Sequence, residues 1–428
     1  MLAENPKTIW SLPEIRYTSL SDLTEERPVA ILSDTASWDR VGSSISLPVV
    51  VQAEPDRTDA EFLEYLSENV PSLVEAIYAI GSGRVVTISK VVAYHCGLPL
   101  VIIPTELDTD QILEGHAEIM DNDGVLTNVM TGPAERIVID WDVIQAAEPH
   151  QRAGVVADML AIVTGLLDWR YAAKQKRAAP DQQFVPWAAG IAAGLASHTI
   201  KIADAIGRGE VEAMRTLLDM TSVSVQLANQ LGHARQQEGT EHYFAFALEK
   251  LGVNARHAEC LGPGILLTSA LHNQDPSALR DALEKAGIRL DQLRPADIQV
   301  AISDLQGFVL ANDLPFSIAH EIEPLSDQWQ KALEIAQITG DTGGWEIADT
   351  SAQAPVVPDT GSMPPAQPAP PTGTDQVPGA VDATQAAPTS GGTDALPGAT
   401  DQQTGTPDAG GAAPAAQDFD QPPLSDIS

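Results

Sequence analysis

The order of apolar and polar positions divides the chain into two halves of different character. In the first half, short unbroken apolar runs recur. PVAILSD (28–34) and SLPVVVQAE (46–54) are each followed by helix-compatible stretches, at 35–42 and 60–70. An apolar run of this length without alternation reads as a strand buried on both faces. Residues 73–78 continue the helical spacing toward AIGSG, so only 79–80 is expected to end a strand. Next come the glycine-rich turn Gly81-Ser82-Gly83, a helix over 84–96 that Gly97 stops, and the strand LPLVIIPT (98–105). Strand, turn, helix and strand make a βαβ unit of the expected length. GVLTNVMTG (124–132) and RIVIDW (136–141) predict a hairpin and a further strand, whereas residues 1–26 form a lead-in with little pattern.

Past Pro149 the period changes, and nearly everything from 153 to 322 has helical spacing. The Ala-rich run 185–200 reads as a buried helix. The pattern predicts an α/β, Rossmann-like N-terminal domain over 1–148 and an all-α C-terminal domain over 149–330, with the cleft between them as the natural binding site. Residues 331–428 are expected to be a linker and an acidic, Pro/Gly/Ala-rich tail. It has too few large apolar residues to offset the entropy of ordering, which predicts disorder.

Charge narrows the partners. The formal net charge is -35, and beyond Asp349 there are nine Asp and no Lys or Arg. Nucleic-acid backbones and anionic membranes would repel such a chain. Cys96 and Cys260 lie far apart in apolar runs, which predicts free thiols in a reducing, cytoplasmic setting. The first twenty residues lack a basic start followed by an apolar core, so no signal peptide is expected. The longest apolar candidate, 185–200, is broken by Gly190, Gly194 and His198, so no membrane span is expected.

Candidate chemistry concentrates in TEHYFAFALEKLGVNARHAEC (240–260). His242 and His257 bracket a short helix, 243–251, and a turn at Gly252, so both rings can face one point. Neutral imidazole is the commonest ligand of zinc and similar ions, and a catalytic zinc takes three protein ligands. The same spacing also suits two ordinary helix-end residues. A third ligand is available in Asp158, set among Val155, Val156, Met159 and Leu160. A carboxylate there is costly to bury unless paired or ligating, unless it lies on the solvent edge. Asp168 competes for the role, or pairs with Arg170. The turn at 81–83 presents a helix N-terminus to an anion, although GSG lacks the full GxGxxG spacing.

From about residue 15 to 322 the chain resembles the sn-glycerol-1-phosphate dehydrogenases, within the dehydroquinate-synthase-like and iron-containing alcohol dehydrogenases. The matching segments come in the family's order: AIGSGRVVTISKVVAYHCGLPLVIIPT, AGVVADMLAIVTGLLDWRYA, GTEHYFAFALE, RHAECLGPGILL and NDLPFSIAHEI. The resemblance implies that Asp158, His242 and His257 hold a divalent metal, zinc before nickel or iron. It implies that Gly81, Ser82, Gly83, Arg84 and Val85 lie along the pyrophosphate of NAD(P), with Thr105 and Asp108 approaching the cofactor and Asp110 the substrate. Asp34 would hold the adenosine ribose, which favours NAD over NADP. Lys90 matches a family lysine, with catalysis, packing or charge balance as its role.

The implied activity is metal-dependent NAD(P)-linked interconversion of dihydroxyacetone phosphate and sn-glycerol 1-phosphate, or of a related small polyol, in a homo-oligomer. The cofactor carries the hydride and the metal acts as a Lewis acid. A dehydroquinate-synthase-type lyase and a non-catalytic relative that keeps the fold are the alternatives. Four departures bear on the choice. Ser82 replaces the middle of three glycines, Thr87 an aspartate, Glu114 a cofactor-contacting serine and Phe246 a substrate-contacting histidine. They spare the metal trio and touch the cofactor and substrate shells.

Overall fold

Strand β1 (Glu14–Tyr17) is followed by β2 (Val29–Ser33), helix α1 (Thr35–Val41), β3 (Val49–Ala53), α2 (Ala60–Glu68), β4 (Ala76–Ile80), α3 (Arg84–Cys96) and β5 (Leu100–Ile103). The antiparallel pair β6 (Ala117–Met120) and β7 (Leu126–Val129) then precedes β8 (Arg136–Ile139). The computed structural model describes residues 8–121, 125–324 and 326–338 of the chain. Six strands form one parallel sheet in the order β1-β8-β5-β4-β2-β3. Its central strands β2, β4 and β5 are buried at every residue, as their unbroken apolar sequences require.

Three details differ from the sequence reading. Residues 76–80 are a strand, not the end of a helix. AIYAI is buried on both faces, so it shows no alternation, and its apolar run is ambiguous by period alone. The N-terminal lead-in supplies β1, an edge strand paired with β8 at Glu14↔Arg136 through Tyr17↔Ile139. Its half-exposed EIRY carries almost no hydrophobic signal and is held by a partner over a hundred residues away. The hairpin expected at 124–132 closes on the upstream strand β6, at Ala117↔Val129.

The second half comprises α4 (Trp141–Ala146), α5 (Pro149–Arg152), α6 (Gly154–Lys174), α7 (Pro186–Gly207), α8 (Val211–Leu231), α9 (Thr240–Lys250), α10 (His257–Leu271), α11 (Ser277–Ala286), α12 (Pro295–Ala311) and α13 (Asp327–Ala336). Helix α6 is apolar on nearly every side and forms the axis on which α7, α9 and α10 pack. Helix α7 is longer than the expected 185–200 and buries only one face. Ala188, Ala192, Ala196 and Ala203 pack inward, while Trp187 and Ile191 are exposed. Helix α13 crosses the expected domain end at 330, with Trp329, Ala332, Leu333 and Ala336 buried. The expected disordered tail lies, from residue 339 on, outside the described residues. Among the described residues no helix is long and apolar enough to cross a membrane, and Cys96 and Cys260 are free thiols.

Sheet and helices meet at Gly154. A Cβ there would lie 2.1 Å from the backbone oxygen of Asp108, so only glycine admits the loop after β5 this close. The Val155 amide donates to the Leu107 carbonyl (3.1 Å) at the same junction. One turn into α6 comes Asp158.

Candidate metal centre and dinucleotide turn

Three helices bring one donor each to a common point. Asp158 comes from α6, His242 from the first turn of α9, and His257 opens α10. One ligand atom from each lies within 4.8 Å of the other two. Asp158 Oδ1 and His257 Nε2 are 3.1 Å apart, and the two imidazole centroids are 5.9 Å apart. Asp158 and His242 are buried, and His257 is partly open. Two imidazoles and a carboxylate in this arrangement could hold a zinc-type divalent ion with a position left open.

The surroundings set the protonation of each donor. Burial, reinforced by His257, pushes His242 down to about 3, which keeps the ring neutral. Burial also opposes the charge on His257, but the bond to Asp158 outweighs it and raises that ring to about 9. Glu241, with no solvent exposure, shares a 3.1 Å hydrogen bond with His242 Nδ1 and leaves Nε2 free to face the centre. The other Asp158 oxygen accepts from the amide of Asp110 (3.1 Å).

Asp168 does not join this set, and its partner is not Arg170. Its carboxylate accepts from the amides of Thr240 (2.7 Å) and Ile318 (2.9 Å) and pairs with His272 Nε2 (2.9 Å). Burial raises its pKa, and the His272 bond and the two amides more than reverse that. Asp168 thus fixes the start of α9 two residues before His242.

The glycine turn lies between β4 and α3. Gly83 has φ 47°, in the left-handed region, and a Cβ there would sit 3.0 Å from Asp108 Oδ2. The chain's own carboxylates crowd this helix N-terminus. Ser82 Oγ donates to Glu106 (2.6 Å), and Arg256, the neighbour of His257, donates to Glu106 (2.8 Å) and Asp108 (3.4 Å). Burial, then Glu106, pushes Asp108 up to about 6. Arg84 reaches the carbonyl of Asp56 (3.2 Å), and Val85 is buried behind the turn. Thr87, in place of the family aspartate, donates to Gln111 (2.6 Å). Thr105 is committed elsewhere, its hydroxyl to Ser37 (3.0 Å) and its carbonyl to Arg40 (3.0 Å). Asp34 caps α1 by accepting from the Ser37 amide (2.8 Å) and lines a shallow pocket with Trp38 and Glu54 at the carboxyl ends of β2 and β3. That position suits a ribose.

Between turn and trio lies a group of carboxylates. Asp110 accepts from Gln237 (2.9 Å), and Glu114 faces His116 (3.3 Å). Burial and like charge push Glu114 up to about 7, and Asp110 and Glu238 well above the usual carboxylate range. Lys90 is buried with its amine on the His116 carbonyl (2.8 Å); burial lowers it to about 8, against the pull of Glu114, Asp110 and Glu118. That environment makes it the counter-charge of this group. Phe246 lies one turn after His242, with ring centroids 6.2 Å apart.

Sequence reasoning singled out the trio, the turn and Asp110 and did not single out Glu241, Glu106, Arg256 or Glu238. Glu241 and Arg256 each precede a candidate histidine, and that adjacency was the available signal.

The chain is similar to several known proteins. Residues 17–148 match the family model described as iron-containing alcohol dehydrogenase. The chain is 29% identical over 290 residues to a glycerol-1-phosphate dehydrogenase (NAD(P)+) of Methanospirillum hungatei, covering 66% of this chain and 77% of that one. It is 29% identical over 306 residues to the protein of the same name from Hyperthermus butylicus, covering 68% and 82%. Among solved structures, a probable glycerol dehydrogenase from Sinorhizobium meliloti aligns with TM-score 0.56 at 16% identity, over 77% of this chain and 96% of that one. Glycerol dehydrogenase from Schizosaccharomyces pombe aligns with TM-score 0.55 at 16% identity, over 77% and 90%. These structural likenesses show the fold.

Proposed function

We propose that the chain is a divergent relative of the iron-containing alcohol dehydrogenases, supported by the match over residues 17–148 and by the similar archaeal proteins, and that it is a metal-dependent NAD(P)-linked oxidoreductase of a small polyol or its ketone. One observation carries the reading: Asp158, His242 and His257 converge from three helices beside the loop that follows β5. When bound, the metal supplies Lewis acidity to the reacting oxygen and the nicotinamide supplies the hydride. The chain's own residues prepare that chemistry. Burial keeps His242 neutral, Glu241 orients it, and the Asp110 amide holds Asp158 in place. Asp34, with no basic residue against it in its pocket, favours NAD.

Glycerol 1-phosphate is the substrate named for the similar archaeal proteins. The test is NADH oxidation by the zinc-loaded chain with dihydroxyacetone phosphate and with unphosphorylated hydroxyketones. Turnover that EDTA abolishes and zinc restores supports the reading; an inert zinc-loaded sample that also fails to bind NADH overturns it. A second reading, a relative that keeps the fold and metal centre without turnover, is favoured by Glu106 and Asp108 at the turn. NADH binding separates the two.

A further inference from the structure

Arg256 stands between the glycine turn and the metal centre. It is the N-cap residue of α10, directly before His257, and its amide donates to Glu259 (3.0 Å). Its guanidinium turns to the loop after β5, where Nη1 donates to Glu106 Oε1 (2.8 Å) and Asp108 Oδ1 (3.4 Å). The same Glu106 oxygen accepts from Ser82 Oγ (2.6 Å), and the other Asp108 oxygen lies 3.0 Å from where a Cβ on Gly83 would be. Both carboxylates therefore lie against the turn on one side and against Arg256 on the other.

The Arg256 side chain is 28% exposed, against 9% for Glu106 and 12% for Asp108, so an anion arriving from solvent finds more of the guanidinium than of the carboxylates it holds. Other cations near the turn are committed. Arg40 and Arg84 donate to the carbonyls of Thr105 (3.0 Å) and Asp56 (3.2 Å), and Lys90 is buried on the His116 carbonyl (2.8 Å). No side chain caps the N-terminus of α3, and its first turn has no acidic residue of its own, which leaves the positive end of the helix to an anion. A pyrophosphate there would meet the like charge of Glu106 and Asp108 unless a cation met it too. A guanidinium can do both, because its planar fork has donors left over for phosphate oxygens after two carboxylates are bound.

We propose that Arg256 is a cofactor-binding residue that bridges the Glu106 and Asp108 carboxylates to the pyrophosphate of the dinucleotide. The inference rests on the reading of the turn as a dinucleotide site. It assigns Arg256 more than a shielding role: a shielding cation acts only through the carboxylates, whereas a bridging one contacts the phosphate itself.

A double-mutant cycle separates the two roles. NADH binding to the zinc-loaded full chain is followed by fluorescence quenching in the parent, R256Q, E106A and E106A/R256Q, with zinc content and the binding of adenosine, which lacks the pyrophosphate, measured beside it. R256Q should weaken NADH binding by about 10–100-fold in the parent and by a similar factor in the E106A background, with adenosine binding and zinc content unchanged. A loss that disappears once Glu106 is removed would mean that Arg256 only shields that carboxylate, and it overturns the inference. If R256Q disturbs the start of α10, R256K decides: it keeps the charge but not the fork and should weaken NADH binding by about 3–10-fold with zinc retained, and unchanged NADH affinity overturns the inference. NADH binding that no Arg256 variant alters counts against the inference alone, whereas a parent that binds neither NADH nor adenosine overturns the dinucleotide reading and the inference with it.

Discussion

Glu241 reaches the candidate metal centre only through His242. With one oxygen on His242 Nδ1 and no exposure to solvent, it fixes which ring nitrogen faces Asp158 and His257. E241A should therefore lower zinc affinity by about 10–100-fold while the far-ultraviolet circular dichroism of the fold is retained; isothermal titration with zinc checks this, and unchanged affinity would remove Glu241 from the centre. Far from the site, Glu25 binds Arg27 (2.7 Å) and accepts from Tyr78 (2.8 Å), and the Arg27 guanidinium holds its carboxyl at about 2 instead of 4.5. A lowered carboxyl pKa stabilises the fold above pH 4.5, and that contribution is lost as the pH falls through 2. After solvent screening, E25Q should lower Tm by about 2–4 °C at pH 7, and the gap from the parent should close between pH 4.5 and 2. A gap independent of pH would contradict the assignment. At this scale the convergence of Asp158, His242 and His257 was legible because their residue types fit a ligand set and their segments resemble known ones. The partner of Asp168 was not. Local sequence offers Arg170, but the fold delivers His272 from over a hundred residues away.

The elements that position these residues were legible unevenly, and the reason is periodicity. Helix α3 runs from Arg84 to Cys96, bounded by Gly83 and Gly97, because glycines mark both ends. Strand β4 was misread because a run buried on both faces has no alternation, and β1 was missed because an edge strand needs only one apolar face. The loop after β5 carries the most consequential change. Glu106 and Asp108 crowd the N-terminus of α3, where a dinucleotide pyrophosphate would bring like charge. D108S and E106A should each tighten NADH binding by about 3–10-fold, measured by quenching of protein fluorescence; weaker binding in both would mean that the carboxylates assist the cofactor. The junction behind that loop tolerates no side chain. G154A places a methyl 2.1 Å from the Asp108 oxygen and should cost about 2–4 kcal/mol in urea unfolding, with zinc affinity falling as Asp158 shifts.

In the whole molecule, one parallel sheet and one helical layer meet along the loop from Pro104 to Gln111, and the candidate site lies on both sides of that seam. The passage from alternating strands and helices to helices alone was legible from the change of period at Pro149. The docking of the halves was not, since it depends on a backbone contact at Gly154 and on the Asp110 amide reaching Asp158, neither of which leaves a mark in composition. The contacts of Asp110 with Gln237 and of Lys90 with the His116 carbonyl were likewise hidden, because their partners are scattered in sequence within a chain of net charge -35. The most direct measurement is the zinc content of the full chain after metal loading and desalting, taken beside D158A and H257A. One zinc per chain in the parent, and a loss of most of it in both variants with the fold intact, is the expected result. A parent that retains no zinc, or variants that retain as much as the parent, would contradict a metal centre at Asp158, His242 and His257.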